Sequence, residues 1–69
     1  MTSAAPARLS PRQREILRLL ADGVRARGIA ARLGLSEATV RNHIRSLLRR
    51  LDCHSQLQAV ARAREEHLL

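Results

Sequence analysis

LSEATVRNHIRSLLRRL, residues 35–51, repeats large apolar side chains and arginines at the period of an α-helix. Ser36 is placed to cap the first turn, and Glu37 puts negative charge where the helix dipole favours it. Leu35 ahead of the cap and Val40 at the fourth helical position have the spacing of a hydrophobic staple, which fixes the angle at which the chain joins the helix. Val40, Ile44, Leu47, Leu48 and Leu51 then make one apolar stripe. The other side carries Arg41, Asn42, Arg45 and Arg49, with His43 and Ser46 on the flanks. The pattern predicts a helix over 36–51 with its back in a core and a row of long hydrogen-bond donors facing out. On one helix alone such a row is usually a solvated charged face. The chain on either side changes that reading.

Upstream, Ser10-Pro11-Arg12-Gln13 opens a first helix over about 10–21, with Ser10 as cap, Pro11 at the first helical position and Gln13 completing a capping box. Ile16, Leu17, Leu19 and Leu20 give it an apolar face, and Gly23 ends it. A second helix is expected over about 26–33, with Ile29, Ala30 and Leu33 inward. Its start is poor: Arg25 is no cap, Arg27 opposes the dipole, and Gly28 costs roughly 0.5–1 kcal/mol against alanine. Gly34 then permits a left-handed turn into Leu35 and Ser36. Two short helices joined by a tight glycine turn, the second basic and outward-facing, form a helix-turn-helix.

Downstream, the third helix gives way at Asp52-Cys53-His54, and Ser55-Gln56-Leu57-Gln58 reads as a second capping box opening a helix over about 55–65. Leu57, Val60 and Ala61 are expected in the core, with Ala59 and Ala63 forming a strip of small residues on another side. Glu65 and Glu66 lie at the helix end that favours cations, which predicts unwinding near His67-Leu68-Leu69. The fold class is all-α, with four helices. Residues 1–8 read as a disordered tail of small residues, and 9–69 as the folded domain.

At 69 residues the chain is one small domain without room for a substrate cleft. Its stability is expected to be on the order of 5 kcal/mol. Net charge is +7, and all 13 basic residues are arginine. The charge is uneven: residues 25–50 carry +6, while 51–69 carry −1. That asymmetry points to a polyanion on one face. With no Phe, Tyr or Trp, stacking of single-stranded bases on aromatic rings is excluded, which favours duplex nucleic acid. The lone Cys53 cannot form an internal disulfide and suits a reducing compartment. No signal-peptide core and no membrane-spanning run is found, so the expected location is the cytoplasm.

The segments LSPRQREILRLLADG, IAARLGLSEATVRNHIRSLLRRL and SQLQAVARA resemble, in register over about residues 9–64, the LuxR-type (GerE-like) helix-turn-helix domain of bacterial transcription regulators. The resemblance implies a four-helix domain whose third helix, Ser36 to Leu51, enters the major groove of double-stranded DNA in a sequence-specific manner. By position, Arg41, Asn42 and Arg45 match the base-edge readers, Thr39 and His43 match backbone-contacting positions, and Arg27 matches a phosphate-binding position. Arg25 and Arg49 join them as suppliers of electrostatic affinity. The family's fourth helix pairs two domains across a twofold, for which Ala59, Val60 and Ala63 are the candidates here. The implied partners are double-stranded DNA, a second copy of the chain and RNA polymerase, with no membrane, small-molecule ligand or cofactor. The chain departs from the family at Arg25 and Gly28, where a Ser-x-x-Glu box is usual, at Asp52, where glycine is common, and at Gln56, where arginine is frequent.

Other chemistries have little support. His43, His54, His67 and Cys53 lack the paired short spacing of a zinc site, and Cys53 reads as core packing. No carboxylate pair, activated nucleophile or glycine-rich phosphate loop is present, so no enzyme is expected. The alternatives that stand are a promoter-reading domain like that of a sigma factor, and a protein-interaction adaptor using the fourth helix. A membrane-surface helix is disfavoured by the absence of Trp and Phe on the apolar face.

Overall fold

The computed structural model describes residues 9–69. The expected tail, 1–8, lies outside them. Four helices follow one another: α1, Pro11–Ala21; α2, Ala26–Leu33; α3, Glu37–Arg50; and α4, Gln56–Glu65. No strand occurs among the described residues. The helix boundaries agree with the sequence reading once the caps Ser10, Ser36, Leu51 and Ser55 are counted outside the helices they flank.

Each start is built as its residues dictate. Ser10 Oγ accepts from Gln13 N–H at 3.0 Å, and Gln13 Oε1 accepts from Ser10 N–H at 3.0 Å, which completes the box on α1. Ser36 Oγ accepts from Thr39 N–H at 3.0 Å. Ser55 Oγ accepts from Gln58 N–H at 3.1 Å, but Gln58 Oε1 accepts from His54 N–H at 2.7 Å and not from the cap residue. The second capping box is therefore only half formed, and its returning arm satisfies the amide one residue upstream. Helix α2 begins at Arg25 with no side-chain cap, as its sequence predicts.

All four helices end by the same device, a left-handed residue followed by an amide that reaches back five residues. Gly23 (φ 87°) and Gly34 (φ 68°) serve α1 and α2. Asp52 (φ 55°) and His67 (φ 58°) serve α3 and α4 without glycine. Cys53 N–H donates to Leu48 O at 2.9 Å, and Leu68 N–H donates to Ala63 O at 2.8 Å. The unwinding expected at 67–69 is thus replaced by a closed helix end, with Leu68 and Leu69 packed against the core.

The core is centred on Ile16 and Leu17 of α1, Ile29 of α2, and Val40 and Leu47 of α3, each with no measurable exposure. Burying side chains of this size stabilises by about 1.5–3 kcal/mol each. Helix α3 packs chiefly against α2 and α1, and α4 fits against α1 and the end of α3. Gly28 faces Val24: a Cβ there would stand 3.0 Å from Val24 Cγ1. The residue that weakens α2 by propensity therefore makes room for the loop that precedes it.

Helix α4 corrects the sequence reading. Its inward residues are Ala59 and Ala63, both at 0% exposure, whereas Leu57 is 81% exposed and Ala61 is also outside. Ala59 and Ala63 are consumed by the core of their own protomer and present no strip to a second one. Small side chains face inward because α4 approaches α1 and α3 where bulkier ones have no space, and leucine is displaced to the surface.

Candidate nucleic-acid interface

Helix α3 sets its two sides apart. Inward lie Val40, Ile44, Leu47 and the cap residue Leu51, all buried. Outward lie Arg41, Asn42, Arg45 and Arg49, all exposed, and no segment among the described residues covers them. Thr39 and His43 are half-buried on the margin. From Arg41 to Arg49 the helix rises about 12 Å, a length that faces three or four base pairs.

The outward side is partly organised. Glu37 Oε2 accepts from Arg41 Nη2 at 2.5 Å, and Asn42 Oδ1 accepts from Arg45 Nη1 at 3.3 Å. A guanidinium has five N–H donors, so both arginines retain donors for other acceptors. Thr39 Oγ1 accepts from Ser36 Oγ at 2.9 Å, which holds the Thr39 hydroxyl beside the start of the helix. This is the chemistry that base edges and phosphates call for: guanidinium forks for guanine, an amide for adenine, hydroxyls for phosphate.

Two polar ties that the sequence reading missed fix how α3 lies. Gln13 Nε2 on α1 donates to Ser46 Oγ at 2.8 Å, and Gln13 is only 5% exposed. Arg62 on α4 donates from Nη1 to Leu51 O at 2.7 Å, placing a cation at the end of α3 where the dipole is negative. Cys53 is buried, and its thiol donates to the same carbonyl oxygen at 3.3 Å. The signal for Gln13 was present in its capping-box position, which reports the local bond and says nothing of a partner 33 residues away. Arg62 and Ser46 carried no local signal.

Arg25 and Arg27 stand exposed at the uncapped start of α2. An uncapped helix start flanked by two guanidiniums suits an anion. Among the described residues no group of three or more His, Cys, Asp or Glu gathers, and no helix is long and apolar enough to cross a membrane. Between α1 and α4, Leu20, Ala21, Leu57, Val60 and Ala61, with Gln56 and Arg64, line an open, mostly apolar groove of about 620 Å³. Of the three pairing candidates, only Val60 reaches this surface.

The chain is similar to known proteins in sequence and in fold. The description "Bacterial regulatory proteins, luxR family" matches residues 7–63. The transcriptional regulatory protein DesR of Bacillus subtilis is 36% identical over 58 residues, which is 84% of this chain and 29% of DesR. The nitrate/nitrite response regulator protein NarL of Escherichia coli is 35% identical over 60 residues, 87% of this chain and 28% of NarL. The solved structure of response regulator ChrA from a heme-sensing two-component system superposes with a TM-score of 0.86 at 35% identity, covering all of this chain and 33% of ChrA. The chain thus spans less than a third of the length of DesR and NarL. A match over most of its length, joined to four helices in the same arrangement, places this chain in the luxR family of bacterial regulatory proteins.

Proposed function

We propose that this domain binds double-stranded DNA in bacterial transcription regulation, with α3 in the major groove. Arg41, Asn42 and Arg45 read base edges. Arg25, Arg27, Thr39, His43 and Arg49 hold the backbone. The observation that carries the reading is the outward row on α3: exposed donors over a back fully engaged with three other helices. The domain is a binder and not a catalyst, and its work beside RNA polymerase belongs in the cytoplasm.

Selection of bound sequences from a random duplex library tests this directly. A defined half-site is expected. Arg41→Ala or Arg45→Ala should then cost roughly 1–3 kcal/mol on that site and relax one base position, while Arg27→Ala weakens all duplexes alike. Equal losses on selected and random duplexes for Arg41→Ala would remove the assignment of readers.

Pairing of two domains is a second part of the proposal. Its support is the exposed Leu57 and Ala61 beside the half-buried Val60, an apolar surface on α4 that no other segment among the described residues covers. Selected sites should then contain two related half-sites, and Leu57→Glu should reduce binding to the double site far more than to a single one.

A further inference from the structure

Glu37 is the single acid among residues 25–50, a segment with seven arginines. Its carboxylate lies on the side of α3 that carries the readers, 2.5 Å from Arg41 Nη2. The two side chains are 58% and 43% exposed, Arg41 being the more open. A pair so wetted adds little to folding. Its effect on a polyanion is larger: it sets a negative charge beside phosphates and occupies one arm of a guanidinium that would otherwise swing toward them. A guanine edge in the groove can still take the remaining donors of Arg41, because bidentate recognition needs two of five. A phosphate outside the groove must compete with the carboxylate.

We propose that Glu37 is a specificity-determining residue, which acts by holding Arg41 away from backbone phosphates and so lowers binding to random DNA more than to the cognate site. The inference rests on Arg41 as a base reader. Its mechanism is charge and orientation at one pair, not net charge of the domain.

The test measures salt-dependent affinity of the full chain for the selected duplex and a random duplex. Glu37→Gln keeps an acceptor but removes the charge. It should tighten random-duplex binding about fivefold at physiological salt, the gain of one phosphate contact, and steepen the random-duplex salt slope by about 0.9. Cognate affinity should change less, so the cognate-to-random ratio falls. Glu37→Asp keeps the charge on a shorter arm and should raise random binding less than Glu37→Gln. Glu65→Gln, an equal charge change at the end of α4, should leave the ratio unaltered. An unchanged ratio in Glu37→Gln, a greater effect in Glu37→Asp, or an equal effect in Glu65→Gln overturns the inference. Arg41→Ala separates the two levels. If it collapses the ratio while Glu37→Gln does not move it, only the role of Glu37 is lost; if Arg41→Ala itself leaves the ratio intact, both readings fall together.

Discussion

Helices α3 and α4 start alike, each from a serine cap, and each has one side in the core, yet they fill that core in opposite ways. Helix α3 turns its large residues inward: Val40, Ile44 and Leu47 are buried and its arginines face out. Helix α4 turns alanines inward and leaves Leu57 outside. Hydrophobicity orders the faces of α3 because space exists between α1 and α2 for branched side chains. On α4 the available space orders the faces, and side-chain volume outranks hydrophobicity. The difference also bears on function: α3 leaves a polar surface open, and α4 an apolar one.

Substitutions should sharpen that contrast, with effects of decreasing size. Leu47→Ala empties a filled site and should lower the unfolding free energy by about 2–5 kcal/mol, read by denaturant titration with far-ultraviolet circular dichroism. Ala63→Leu should destabilise by about 1–3 kcal/mol in the same titration, since added volume has nowhere to go. A neutral or stabilising Ala63→Leu would break the distinction between the two helices. Asp52→Gly relieves a left-handed residue at the end of α3 and should stabilise by up to about 1 kcal/mol. Leu57→Ser should change the stability of the separate domain by no more than about 0.5 kcal/mol, a result that thermal unfolding at low concentration checks. A loss near that of Leu47→Ala would mean that Leu57 is packed after all.

Much of this molecule was legible in its residues, for reasons that are local. Four helices follow from three serine caps, a proline at a first turn, and glycine or aspartate at three of the four left turns, His67 being the one without such a signal. The faces of α3 follow from the period of five apolar residues. The inward face of α4 did not follow, because Leu57, Val60 and Ala61 make as good a stripe on paper as Ala59 and Ala63. Helix spacing in three dimensions decides between them, and no window of sequence records it. The same holds within the interface. Arg41, Asn42 and Arg45 stand out by period, but Gln13 and Arg62 act across 33 and 11 positions of chain, and the pairing of Arg41 with Glu37 depends on which of several neighbours a flexible guanidinium meets.

Gln13 bonds in two directions at once. One face of its planar amide answers Ser10, where the first helix begins; the other answers Ser46, near the middle of the third. A single rigid group of four atoms therefore works as a pivot pin through two rods, so that slackening the start of one tilts the other. Exchange of its nitrogen for oxygen, the step from glutamine to glutamate, would keep the acceptor half, lose the donor half and leave a carboxylate in the interior. The reading rod would then keep its grease and the single strap from Arg62 at its far end.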